Sequence, residues 1–472
     1  MKKEIRADYQ SQMVLPPSIE DWIGQDHPAR FIRDFVDSLD LAGLGFKQRK
    51  SEDGRPSYAP DLLLKVWLYG YFDRIRSTRS LERACRDSIA LIWLTGMNYP
   101  DHNTLWRFLS NNKEAIRKVF TQGVRVAAKA DLLGMVLHAV DGTKIRARGS
   151  KWTAHHRKTL EESLSKLEQR IDEMLAEVEA SEENEIGEYR LSDELADAEE
   201  RKAVIRMALK ELDEAGTDHL QPSEPDARMM KCQETIDFAY NAQAVVDEQS
   251  GLIVAQDVTA DETDHDQLPG MLDTVKEVTG STAEMTVADA GYASGETLTK
   301  AREMGVDVLV SLPGTMAPPL GKGEYHSSRF EYDATADVCI CPWGTTLTFQ
   351  REKWATERRY KVRVYHCKQY CECPARWQCS KNKRGRTIEI GPHYQVVKRQ
   401  IEQQQKPENQ ALLKKRKAIV EPVFGNVKEV MGFRRWHLWY IAGAKTQWAL
   451  VCLTANLRKL HRHWVMGELQ IQ

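Results

Sequence analysis

The chain has 472 residues, 42% hydrophobic and 29% charged, too long for one ordinary core and in the range of two or three soluble globular domains. No apolar stretch reaches membrane-spanning length, and Met1-Lys2-Lys3-Glu4-Ile5-Arg6 lacks an apolar signal region, so a cytoplasmic protein without a membrane partner is expected. The net charge of −2 hides an asymmetry: from Arg351 to Lys417 there are nineteen Lys and Arg against six Glu and no Asp, about +13 there and about −15 elsewhere.

Residues 1–132 read as a helical domain, for DNA binding or for dimerisation. Phe31, Phe35, Leu39 and Leu41 line one amphipathic face, and Leu62 to Leu68 with Phe72 form a buried helix. Ser77-Thr78-Arg79-Ser80 caps the next helix, and Pro100-Asp101-His102-Asn103-Thr104 opens another carrying Leu105, Trp106, Phe108 and Leu109. Short helices with arginine-bearing turns suit a helix-turn-helix bundle; a plain scaffold or dimer bundle fits as well.

From residue 133 the period becomes strand-like. Met135 to Val140 reads as a buried strand, with Thr143 to Ala147 turning into a hairpin or bend. Residues 151–225 read as an inserted, coiled-coil-like arm, with Leu160, Leu164, Leu167, Ile171, Leu175 and Val178 going out, a polar break at 181–187, and Leu191, Leu195, Val204, Ala208 and Leu212 returning. Strands resume at 238–247 and 252–258 around a Gln249-Ser250-Gly251 turn, followed by helix, strand (Met285 to Ala288), helix and strand (Val306 to Ser311). Segments 133–150 and 226–312 thus form the first parts of an α/β core with a mixed sheet flanked by helices. Residues 313–405 read as a mainly β, basic and Cys-rich insertion, led in by Pro313-Gly314, Pro318-Pro319 and Gly321. Its interleaved Trp354, Tyr360, Tyr365, Tyr370, Trp377 and Tyr394 favour nucleic acid, since aromatics stack on bases while cations meet phosphates. Residues 406–472 supply the C-terminal helices of the core.

Three acids stand out. Asp141 and Asp289 each end an apolar run, and Glu421 lies on the helix from about Glu408 to Met431. Ionised carboxylates are rarely buried without a partner, and acids at strand ends with a third on a helix suit a two-metal phosphoryl-transfer site for Mg²⁺ or Mn²⁺. Lys428, two helical turns past Glu421, and Lys144, three residues past Asp141, could hold a phosphate beside it. With 69 acidic residues in the chain, chance placement competes with this reading. Asp247, Asp257, Asp261 and Asp264 also lie near strand ends. Cys341, Cys367, Cys371, Cys373 and Cys379 allow a structural zinc ion, although their spacing is irregular for a zinc ribbon; free or buried thiols are the alternative.

In order, Asp141-Gly142-Thr143-Lys144, Ala288-Asp289-Ala290-Gly291-Tyr292 and Val420-Glu421-Pro422-Val423-Phe424-Gly425, with Lys428 beyond, resemble the DDE transposases of bacterial insertion sequences. The likeness is to the insertion sequence 1182 group, within the insertion sequence 4-like superfamily. Pro100 to Thr104, Asp226-Ala227-Arg228-Met229, Tyr240-Asn241-Ala242-Gln243 and the tail Trp448-Ala449-Leu450 with Asn456-Leu457 extend it over most of the chain. The resemblance implies an RNase H-like core, double-stranded DNA as partner, a homodimer in the active complex, and cleavage at terminal inverted repeats with strand transfer. It implies two metal ions on Asp141, Asp289 and Glu421, with Lys428 touching phosphate. It places Lys144, Arg416, Lys417, Arg434 and Arg435 among the nucleic-acid contacts. The related Tyr-Arg-Glu-Lys pattern expects Arg where Lys417 stands, with Arg416 one residue earlier; separately, the tail of the family expects an Arg before a Gly where this chain has Tyr440 in Trp439-Tyr440-Ile441-Ala442-Gly443. A non-catalytic, transposase-derived DNA-binding protein and a nuclease outside transposition are the competing readings.

Overall fold

The structure, a computed structural model, describes residues 18–47, 57–182, 193–313, 316, 323–355 and 360–471. Features expected at 183–187, Leu191 and 317–322, and at Met1 to Arg6, lie outside the described residues. The chain divides into two compact units.

The first unit comprises Met1–Leu133, Asn426–Gly432 and Lys445–Gln472. Its helices are α1 (Pro28–Asp37), α2 (Leu41–Leu44), α3 (Pro60–Phe72), α4 (Thr78–Asp87), α5 (Ile89–Leu94), α6 (His102–Asn111) and α7 (Lys113–Lys129). Helix α3 is buried from Leu63 to Tyr71, with Lys65 paired to Asp37 and Asp61. Gly70 lets α4 approach, because a Cβ there would lie 2.4 Å from Leu81 Cδ2. Ser77 caps α4, and Asp101 caps α6 through a 2.7 Å bond from the Thr104 amide. The C-terminal helix, Tyr440–Val465, was expected to complete the core domain. From Lys445 onward it belongs instead to this unit: Trp448, Leu450, Leu453, Leu457 and Leu460 are fully buried, and Gln447 donates to the Tyr71 hydroxyl at 3.0 Å. An apolar stripe encodes burial but not the partner that supplies it.

The second unit comprises Gly134–Gly425 and Phe433–Ala444. It starts with β1 (Leu137–Arg146). The arm follows as β2 (His155–His156), α8 (Arg157–Glu182), α9 (Asp193–Ala215) and β3 (His219–Leu220), with β2 and β3 paired at its root and Leu167, Ile171, Met174 and Ala198 packed between its helices. Next come β4 (Arg228–Cys232), β5 (Thr235–Asp247), β6 (Ile253–Thr259), α10 (Gln267–Thr279), β7 (Met285–Ala288), α11 (Gly295–Glu303) and β8 (Val308–Val310). The strands order as β4-β5-β1-β7-β8, with β6 also on β5. Pairs β6–β5 and β5–β1 are antiparallel, and β1–β7 and β7–β8 are parallel. Strands β6, β5 and β1, antiparallel and continued by the parallel β7 and β8, form an RNase H-like sheet, to which β4 adds antiparallel on β5.

The expected bend after Asp141 does not occur. β1 runs on through Gly142 to Arg146 because β5 pairs along its whole length, with Asp141 opposite Ala244 and Gly142 opposite Gln243. Asp141 therefore lies mid-strand, not at a strand end. The insertion is a five-stranded antiparallel sheet made of β9 (Glu331–Asp333), β10 (Val338–Ile340), β11 (Thr346–Trp354), β12 (Lys361–His366) and β13 (Thr387–Ile390), with the short α12 (Arg376–Cys379). Its core is Phe330, Cys339, Leu347, Tyr365, Cys367, Ile388 and Ile390. Helix α13 (Tyr394–Gln405) ties to β8 through Gln400, which donates to Val308 O at 2.5 Å and accepts from the Val310 amide at 3.3 Å. Helix α14 (Pro407–Gly425) packs across β1 and β7 and passes into a π-turn, Asn426–Val430, before α15, the C-terminal helix.

Candidate active site

The parallel register of β1 and β7 sets Ala139 opposite Val287, so two residues further on Asp141 and Asp289 come level on the same face. Asp289 lies one residue past β7, where its Oδ1 accepts the Gly291 amide at 2.8 Å and caps a short 3₁₀ turn. Asp141 Oδ1 accepts the Gly142 amide at 2.9 Å, and its Oδ2 pairs with Arg416 Nη1 of α14 at 2.9 Å. Burial pushes the Asp141 carboxyl up from its ordinary value; Asp289 adds to the rise, while Arg416 and the Gly142 amide oppose it. Two neighbouring carboxylates with one guanidinium paired to Asp141 are a cation-seeking arrangement.

Behind this pair is a second polar cluster. Asp264 Oδ1 accepts from Lys144 Nζ at 3.0 Å, Asn241 Nδ2 at 2.6 Å and Gln243 Nε2 at 2.7 Å. The fully buried Tyr292 donates its hydroxyl to Gln243 Oε1. Burial, then the charges of Asp264, Asp141 and Asp289, push that phenol well above its usual range. All three aspartates therefore act on one buried hydroxyl.

The other expected site residues fall in different places. Lys144 is paired to Asp264 and not beside Asp141, because an odd separation in a strand puts the two side chains on opposite faces. Arg416, not Lys417, reaches the acids: Lys417 is exposed, and so is Glu421 four residues on, which makes no hydrogen bond or ion pair among the described residues. Glu421 and Arg416 are five residues apart, roughly 140° around a helix of 3.6 residues per turn, so they cannot face the same way. Lys428 belongs to the first unit and Glu421 to the second. Arg435 is spent on structure, donating to Ala147 O at 3.0 Å, Arg148 O at 2.8 Å and Gly149 O at 3.1 Å; Arg434 is exposed. Asp247 serves the Ser250 turn and the Gly134 and Met135 amides. Asp261 binds Thr259 and Gln267.

Among the described residues, no three His, Cys, Asp or Glu side chains are grouped so as to hold a metal ion. This applies to the acids with Glu421, and it leaves the expected zinc ion unsupported at Cys341, Cys367, Cys371, Cys373 and Cys379. These thiols are free, and Cys341 Sγ accepts the Thr345 amide at 3.2 Å. The sequence carries one signal for the Asp264 and Tyr292 cluster: Asn241 and Gln243 are two amides at alternate positions in the run Phe238 to Val246.

Two family models match the chain. A "Transposase DDE domain" covers residues 340–461, and a "Transposase domain (DUF772)" covers residues 17–111. Two separate stretches of the chain are thus similar to transposase domain families. The matched spans include α14 but neither β1 nor β7, so Asp141 and Asp289 rest on motif and register. No curated protein matches. Among solved structures, a piggyBac transposase synaptic complex with hairpin DNA aligns with 94% of this chain and 77% of that one, at 8% identity and a TM-score of 0.34. Among the described residues, no helix is long and apolar enough to cross a membrane.

Proposed function

We propose that this transposase relative cuts DNA at terminal inverted repeats and joins the freed ends to target DNA, with Asp141 and Asp289 as its central acids. The observation that carries the reading is the backbone register that brings Asp141, in β1, level with Asp289, one residue past the adjacent parallel strand β7. Mg²⁺ commonly takes only one or two protein carboxylates and completes its shell with water and phosphate, so the pair fits such an ion. A divalent ion on Asp141 and Asp289 would polarise the scissile phosphate and favour deprotonation of the attacking water or 3′-hydroxyl. Arg416 lies where it can pass from Asp141 to an incoming phosphate, offering a planar, permanently charged fork. Glu421 as third ligand, a second ion and Lys428 as phosphate contact enter on the motif. So do a homodimer and a double-stranded DNA partner. The exposed Trp343, Trp354 and Trp377 of the basic insertion, with Arg376 stacked on Trp377, suit an unpaired base or strand end.

The test is Mg²⁺-dependent cleavage of DNA carrying the flanking inverted repeat, comparing wild type with Asp141→Ala and Asp289→Ala. Cleavage at the repeat boundary that falls to background in both variants is expected. Persistence in Asp289→Ala would remove that acid from the site. The non-catalytic reading has one observation in its favour, the Arg416 ion pair on Asp141. It would be adopted if wild type binds the repeat but never nicks it.

A further inference from the structure

We infer that Asp264 is a positioning residue for the acid pair, acting from the opposite face of the sheet. This rests on the proposed role of Asp141 and Asp289. Residues paired across an antiparallel ladder share a face, so Gly142, Lys144, Asn241 and Gln243 all turn away from the Asp141 side chain. Asp264, in the loop between β6 and α10, fills the space they leave. Three donors converge on its Oδ1, and the two amides that supply two of them are at most 1% exposed.

Two glycines make room for this carboxylate, and each follows closely on one member of the acid pair. A Cβ on Gly142 would lie 2.8 Å from Asp264 Oδ1, 2.4 Å from Gln243 Nε2 and 3.0 Å from Asn241 Oδ1. A Cβ on Gly291 would lie 3.3 Å from Asp264 Oδ2 and 3.0 Å from Asp289 Oδ1. Asp264 is thus wedged between the backbone of β1 just after Asp141 and the 3₁₀ turn that Asp289 caps. Gln243 closes the loop, accepting from Tyr292 at the end of that turn while donating to Asp264. Among the described residues Asp264 makes no hydrogen bond to either proposed acid. It fixes the spacing of the two backbone segments that carry them.

The cluster also explains why Lys144 stands three residues after Asp141. Asp264 takes three donors, and an ammonium among them compensates its charge in a half-buried setting. Asp264→Asn keeps the shape of the side chain and removes the charge that Lys144 compensates, so it is the informative change.

The experiment uses full-length protein, wild type and Asp264→Asn, with four readouts. These are the Mg²⁺ concentration for half-maximal cleavage of the repeat, Mn²⁺ binding by calorimetry, repeat binding in Ca²⁺, and amide exchange of segment 289–292 without metal. We expect Asp264→Asn to raise the Mg²⁺ midpoint at least tenfold, weaken Mn²⁺ binding in parallel, and speed exchange at 289–292. Repeat binding in Ca²⁺ should be unchanged. A variant with wild-type metal midpoint and wild-type exchange overturns the inference. If Asp264→Asn does not fold, Lys144→Gln, which leaves both amide donors, should shift the midpoint in the same direction, and no shift there overturns it equally. Wild type that neither cleaves nor binds Mn²⁺ would instead sink the proposed function. In that case accelerated exchange at 289–292 in Asp264→Asn still bears out the backbone role, and unaltered exchange refutes it.

Discussion

His138 is buried in β1, 1% exposed, between Asp247 of β5 and Thr286 of β7, and its Nε2 lies 3.7 Å from Asp247 Oδ1. Desolvation pushes its imidazole down to about 4, with Asp247 pulling the other way and losing. From pH 6.5 down to about 4 the unfolded chain therefore binds a proton that the fold refuses. Stability should fall as pH drops through that window, by up to about 1.4 kcal/mol per pH unit and about 3 kcal/mol in all. Urea denaturation at stepped pH should show this slope, and His138→Gln should flatten it; parallel curves for the two proteins would show that another group carries the effect. Single residues were unevenly legible. Asp141 and Asp289 could be picked out because an acid closing an apolar run is a local signal. Asp264 has no such run before it and reads from sequence only as a competing acid, since its donors lie on two other strands.

Elements convert a residue count into a direction, and this is where sequence reasoning gained or lost most. Period two along β1 puts Lys144 behind the sheet and Asp141 in front. Helical period in α14 turns Arg416 inward while Lys417 and Glu421 face out together. The strands, arm and β-rich insertion could be read because their apolar periods are strong. The phase of α14 against the sheet could not, because either side of a charge-rich helix can be offered to a site. Two outcomes follow. Replacing Arg416 by Ala removes an influence that lowers the Asp141 pKa, so the Asp141 titration should move to higher pH, whereas Lys417→Ala should leave it in place. Carboxyl-carbon NMR titration of the two variants decides it, and equal effects would mean that the helix phase is wrong. In β1, Gly142→Ala must displace Gln243, Asp264 or Asn241, and overpacking of this kind costs about 1–3 kcal/mol. A denaturation midpoint matching wild type would show that the site has more slack than these distances allow.

For the whole molecule, the charge division is the property most directly readable from composition, and the fold gives it a place. The described residues of the basic stretch run from the second half of β11 through β12, α12, β13 and α13 to the first part of α14, all in the second unit. Lys381, Lys383 and Arg384 are exposed together in the loop before β13, near the exposed Trp377. The assignment of the C-terminal helix to the first unit was not legible, because its buried stripe fits any complementary surface. If the insertion tracks the DNA backbone, its cations act by releasing condensed counterions, and log affinity falls linearly with log salt by about 0.9 per neutralised phosphate. Replacing Lys381, Lys383 and Arg384 by Gln should then reduce the slope by about 1 to 3 and weaken repeat and unrelated duplexes by the same factor, since phosphate contacts carry no sequence information. An unchanged slope would take these cations off the DNA path. A loss confined to the repeat would make them base readers, and sequence recognition would then belong to the insertion and not to the N-terminal helices.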